Sequence, residues 1–281
     1  AAGHVFPACA DVLFPVILAG GLGPGLLLAV LFCAYVLIRC KISPQDGPPA
    51  PVGEKELTFN EKLRASVPVI PPLVLILVVL GSIFSGVATA TEGSAIGAAG
   101  SLALMVYNRS LNWNVFKKVS MDTLKYTGMV MWIIIGAYCF STIYMALGAD
   151  QFILEVVQKL PGGYWTVLIL IQVLYFALGM LLDPGAIVMV TAPLTVPIVS
   201  ALGYDPVWFA TLFVINMQCA YISPPFGYNL FYLKAIAPKG TLMKDIYIAI
   251  IPFILVQLFC LALVMIFPQI ALWLPNLIYG N

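Results

Sequence analysis

Apolar residues run along this chain in long blocks. They show neither the alternation of a half-buried strand nor the single stripe of a soluble helix. A helix needs about 20 mostly apolar residues to cross a bilayer. Blocks of that kind lie at 12–38, 67–87, 91–107, 126–147, 164–182, 184–202, 206–236 and 245–267. Polar residues collect between them. Segment 41–65 holds Pro44, Gly47, Pro48, Pro49 and Pro51 among charges of both signs, as a solvated linker should. Residues 109–125 mix Arg109, Lys117, Lys118 and Lys125 with Trp113 and Phe116. That mixture predicts an amphipathic helix lying at the interface and leading into the next span. The pattern as a whole predicts an all-α polytopic membrane protein.

Composition agrees and narrows the chemistry. Of 281 residues 62% are hydrophobic and 9% charged, against about a quarter charged in a soluble domain. The net charge of +1 implies no nucleic-acid partner. If the 41–65 linker is cytoplasmic, every one of the 13 basic residues except Lys159 falls on the inside. That orientation puts 148–163, 203–205 and the tail 268–281 outside. The six cysteines form no Cys-x-x-Cys pair and His4 is the one histidine, so no zinc or haem site is expected. With no clustered nucleophile or acid pair either, no enzyme is expected. The run Gly20-Gly21-Leu22-Gly23-Pro24-Gly25 lacks the Lys-Ser/Thr ending of a phosphate loop and reads as a place of close helix packing.

Two of the blocks carry interruptions, at Gly179–Pro184 and at Ile222–Gly227. Proline removes a backbone donor and clashes with the preceding turn. Hydrocarbon cannot satisfy the groups that a break sets free, so such backbone must be buried in protein or line a polar cavity. Paired breaks are a pointer to the site of a secondary transporter. The segments 164–182 and 184–202 are either two full spans or one re-entrant hairpin, and charge counting does not separate these. The hairpin is favoured because no Lys or Arg lies between Gly162 and Phe231, and because a second break follows. Asp183 is either an N-cap with Pro184 at the first helical position, or a substrate or ion contact. Asn216 and Gln218 precede the second break and Asn229 follows it; each either contacts substrate or hydrogen-bonds between helices. Tyr228, Phe231 and Tyr232 suit interface or packing roles. Glu92 either caps the helix that follows or lies at the outer interface.

A family resemblance rests on several runs in order. These are Ala90-Thr91-Glu92-Gly93-Ser94-Ala95-Ile96-Gly97, Gly179-Met180-Leu181-Leu182-Asp183-Pro184 and Pro193-Leu194-Thr195-Val196-Pro197. They continue with Leu202-Gly203-Tyr204-Asp205-Pro206 and Ile222-Ser223-Pro224-Pro225-Phe226-Gly227-Tyr228-Asn229. From about 60 to 275 the chain resembles the large membrane subunit of TRAP (tripartite ATP-independent periplasmic) transporters. The resemblance implies inverted repeats, each with a re-entrant hairpin and a broken helix. It implies an elevator-type carrier in the bacterial inner membrane, driven by sodium. Its expected partners are a small membrane subunit and a periplasmic binding protein that delivers a small organic acid.

The same resemblance implies a layout. Residues 1–40 would end the first repeat, 41–65 form the linker, and 66–125 hold two spans and an arm helix. Residues 126–281 would be the transport module, with hairpin 164–202, broken helix 206–236 and last helix 245–267. The first repeat has no counterpart in this sequence, so the chain resembles the C-terminal two thirds of the subunit. Sodium, the coupling ion and not a resident cofactor, would bind backbone carbonyls at Gly179, Ala220, Ser223 and Phe226. Asp183, Asn216, Tyr228 and Asn229 form the candidate substrate set. Ala220 stands where the family often has Gly, Ser223 where it often has Thr, and Ala90 where it usually has Pro. A proton-coupled carrier titrating Asp183 or Glu92, and a non-transporting assembly subunit, are the alternatives.

Overall fold

The computed structural model describes residues 5–44, 61, 66–159, 161–224, 227–238 and 240–279, without the side chains of 5–14, 150, 154, 156, 158 and 228. Most of the 41–65 linker therefore lies outside the described residues. The regular elements among the described residues are helical: α1 (Val5–Ile42), α2 (Ile70–Phe84), α3 (Ala90–Tyr107), α4 (Trp113–Ala146), α5 (Ala149–Lys159), α6 (Gly163–Gly179), α7 (Pro184–Ala201), α8 (Pro206–Tyr221), α9 (Tyr228–Ile236), α10 (Met243–Ile266) and α11 (Gln269–Tyr279). Among them, five stretches are long and apolar enough to cross a membrane: Pro15–Ile42, Val67–Phe84, Trp113–Ala146, Pro184–Ala201 and Met243–Ile266. The chain is an all-α polytopic membrane protein.

Three elements differ from the sequence reading. The amphipathic arm and the next span form one uninterrupted helix, α4, because no proline or capping residue stops it between Trp113 and Ala146. At 1.5 Å per residue it is ~50 Å long, more than a bilayer core, so its basic first third extends beyond the hydrocarbon. The 148–163 segment contains α5, and the tail contains α11. Both are short and two-faced, below the length that marks a span.

The chain divides into two compact units, Ala1–Ala19 with Val36–Thr123, and Gly20–Tyr35 with Leu124–Asn281. In the first, α2 and α3 pack as a helical hairpin. A Cβ on Gly93 would meet Ile83 Cδ1 at 2.7 Å, and one on Gly100 would strike Leu75, so these small positions set the close approach. Thr89 caps α3: its hydroxyl accepts the Glu92 N–H at 3.3 Å, while Glu92 Oε2 accepts the Thr89 N–H at 2.8 Å. Glu92 thus closes a capping box as its third residue, with Thr89 as the N-cap.

In the second unit α8 is the central helix. It packs against α6, α7, α10 and α11. Trp208, Thr211, Leu212, Ile215, Asn216 and Ala220 are buried along one side of it, while Val214 and Gln218 are exposed on the other. Asp205 starts it by accepting the Trp208 N–H at 2.9 Å, with Pro206 in the first turn. The loop before it is fixed by Tyr204, whose hydroxyl donates to the Tyr164 carbonyl at 2.6 Å. Burial first, and Tyr164 second, pushes the Tyr204 phenol up to about 12, so it remains a donor throughout the physiological range. Trp208 Nε1 donates to the Val264 carbonyl at 2.8 Å and ties α8 to α10.

Candidate functional site

Helix α6 stops at Gly179 by tightening into a turn. Met180 N–H reaches the Phe176 carbonyl at 3.2 Å, and the Leu181 and Leu182 N–H groups share the Leu178 carbonyl at 2.9 and 2.8 Å. Among the described residues no N–H is hydrogen-bonded to the Gly179 carbonyl. The chain then extends at Asp183, and α7 begins with Pro184. Asp183 Oδ2 accepts the Ala186 N–H at 3.0 Å. The N-cap role is therefore present, held by one carboxylate oxygen.

Helix α8 stops in a similar way. Ile222 and Ser223 N–H groups reach the Cys219 and Ala220 carbonyls at 3.3 and 3.0 Å. Ser223 is buried, and its hydroxyl donates to the Cys219 carbonyl at 2.9 Å. Helix resumes at Tyr228 after Gly227, which takes a left-handed φ of 39°. Glycine adopts that conformation without steric cost. Pro225 and Phe226 lie outside the described residues, as does the Tyr228 side chain.

The two helix ends meet. A Cβ on Gly179 would come to 2.6 Å from Ala220 Cβ and 3.1 Å from Met217 Cε. Only glycine allows this approach. The contact brings the carbonyl end of α6 beside the carbonyl end of α8, with Ser223 one turn further along. Each helix C-terminus carries a partial negative charge, and each N-terminus a partial positive one. The meeting ends of α6 and α8 thus suit a cation, and the starts of α7 and α9 suit an anion.

Above this contact a polar seam joins α6 to α8. Asn216 Nδ2 donates to the Gln172 carbonyl at 2.7 Å and to Gln172 Oε1 at 2.8 Å. Both side chains are buried, and Asn216 Oδ1 and Gln172 Nε2 have no hydrogen-bond partner among the described residues. The Tyr175 hydroxyl donates to Thr195 Oγ1 at 3.1 Å and links α6 to α7. Asn216 therefore joins helices. Asn229 is placed elsewhere, on a cavity whose lining includes none of Gly179, Asp183, Asn216 or Ser223. Sequence reading passed over Gln172 and Gln257, although each is a lone amide in an apolar run and so carried the available signal. Among the described residues no cluster of metal-ligating side chains is present.

Interrupted helices that meet inside an apolar bundle point to a class, the membrane permeases. The family model for the tripartite ATP-independent periplasmic transporter, DctM component, matches residues 5–270, and the chain belongs to that family. The C4-dicarboxylate TRAP transporter large permease protein of Pseudomonas aeruginosa is 29% identical over 276 residues, 97% of this chain and 62% of that protein. The ectoine/5-hydroxyectoine TRAP transporter large permease protein of Ruegeria pomeroyi is 30% identical over 269 residues, 93% of this chain and 59% of that protein. The sialic acid TRAP transporter large permease protein of Vibrio cholerae is 28% identical over 267 residues, 94% of this chain and 60% of that protein. The chain thus spans less than two thirds of the length of each of these relatives. The family is one of multi-pass inner-membrane transporters, not of enzymes.

Proposed function

We propose that this chain serves in a sodium-coupled symporter that imports a small organic anion, a carboxylate. In this reading a periplasmic binding protein delivers the solute, and a small membrane subunit completes the complex. The observation that carries the proposal is the Gly179–Ala220 contact, which sets two helix C-termini side by side. Sodium is a hard cation and takes oxygen ligands. Carbonyls at Gly179, Ala220, Ser223 and Phe226 would supply them, joined by the Ser223 hydroxyl oxygen, with unwound backbone lining the ion site.

Sodium bound there would pin the α6–α7 turn to the end of α8. The ordered turn then holds the first turn of α7 in place, where Asp183 already fixes the backbone by capping. The free N–H groups of that turn and of α9 would receive the carboxylate. The relatives are named for three different solutes, a C4-dicarboxylate, ectoine and sialic acid, so the family alone does not select one.

The test is uptake into liposomes holding the complete complex and its binding protein. Labelled succinate, ectoine and sialic acid are offered in turn under an inward sodium gradient. One of them should accumulate with sodium, and Gly179→Leu and Ser223→Ala should each lower that uptake. Accumulation under a pH gradient with sodium absent would establish proton coupling instead. Normal uptake by both variants would leave the chain an assembly subunit.

A further inference from the structure

Helix α8 has a second working face. At 3.6 residues per turn, Gln218 and Ile222 point away from the side on which Gly179 packs. There, within the second unit, lies a cavity of about 350 Å³ between α1, α8, α9 and α10. Its volume falls within the range of small-molecule sites, about 300–1,000 Å³. Three amides line it, those of Gln218, Asn229 and Gln257. Gln257 is only 2% exposed, and its Oε1 has no hydrogen-bond partner among the described residues. An amide atom left so is costly in a protein interior, and more so at bilayer depth, where water is scarce. The rest of the wall is apolar, with Ile246, Ile250 and Phe253 along α10. Among the described residues no charged one lines it, so it suits neither a carboxylate nor a bare cation.

We propose that this cavity binds a small uncharged amphiphile bearing a hydroxyl group. The hydroxyl satisfies the amide of Gln257, since it both donates and accepts. Gln218 and Asn229 offer it further partners at the mouth. The apolar body lies against Ile246, Ile250 and Phe253. The site is separate from the α6–α8 contact and does not rest on the sodium or anion assignment. Such a hydroxyl can come from a monoacylglycerol in the bilayer or from a water-soluble alcohol, and the chemistry is shared.

Photolabelling of the protein in its native membranes tests this, with n-octanol carrying a diazirine as the probe. Adducts should concentrate on the cavity walls of α9 and α10. Gln257→Met keeps the volume and removes the amide, and should lower labelling about fivefold. Ala249→Phe should block labelling by filling the cavity from its rim, whether or not Gln257→Met folds. Displacement by excess monoacylglycerol assigns a membrane source, and displacement by excess hexanediol an aqueous one. Adducts spread over the lipid-facing side of α2, unchanged labelling in both variants, or displacement by neither competitor would each overturn the proposal.

Discussion

At position 179 a methyl group has nowhere to go, with Ala220 Cβ 2.6 Å and Met217 Cε 3.1 Å from where it would lie. Gly179→Ala should therefore destabilise the fold by about 1–3 kcal/mol, the range for overpacking. Ala220→Gly removes the opposing methyl, so the double variant should regain most of that loss. Thermal denaturation in detergent measures both, and strictly additive losses would show that the two positions do not share one contact. Asp183 separates two roles in a similar way. Asp183→Ala loses the bond to the Ala186 N–H and should cost about 1 kcal/mol. Asp183→Asn keeps a capping oxygen and should stay within a few tenths of the native stability. If sodium drives uptake, Asn should also preserve transport; a proton carrier that works through Asp183 would lose it.

Between elements, the seam of Gln172 and Asn216 sets how firmly α6 is held to α8. Each single Leu substitution strands a buried amide and should cost about 1–3 kcal/mol, whereas the double Leu variant leaves nothing unpaired and should fall closer to native. A double-mutant cycle on detergent-phase stability gives the coupling, and a value near zero would show that the pair does not act as a unit. Apolar length made the helical blocks readable, and the Asp-Pro and Pro-Pro pairs both interruptions. Among the described residues, however, only five of the eight blocks hold helices long and apolar enough to cross a membrane; those at 91–107, 164–182 and 206–236 do not. The sequence did not make α5 or α11 readable. Ile153 and Val157 of α5 pack against the core, yet an 11-residue two-faced helix resembles a loop until its neighbours are known. Nor does proline alone mark a break. Pro193 and Pro197 lie inside α7 without ending it. Of the candidate site, the meeting of Gly179 with Ala220 was legible only through the family resemblance. The Asn216–Gln172 bond and the separate placement of Asn229 depend on helix rotation, which charge and hydropathy do not encode.

For the molecule as a whole, an ion held between the ends of α6 and α8 binds two segments that lie over 40 residues apart in the chain. Such an ion has its site only when both segments are in place, so the unfolded chain offers none. If that ion is sodium, as proposed above, linkage makes it a stabiliser, by about 2.7 kcal/mol once its concentration is 100 times the dissociation constant. For a chain of this size each kcal/mol moves the denaturation midpoint by roughly 2–4 °C. Sodium chloride should therefore raise the midpoint of the purified protein by several degrees over choline chloride at the same ionic strength. Ser223→Ala loses the hydroxyl beside the Cys219 carbonyl and should blunt that rise more than it lowers the midpoint in choline. Gln257→Met, in the cavity on the opposite side of α8, should leave the sodium response intact. Equal midpoints in the two salts, or a response that survives Gly179→Leu unchanged, would remove sodium from the α6–α8 contact and leave its helix ends to packing alone.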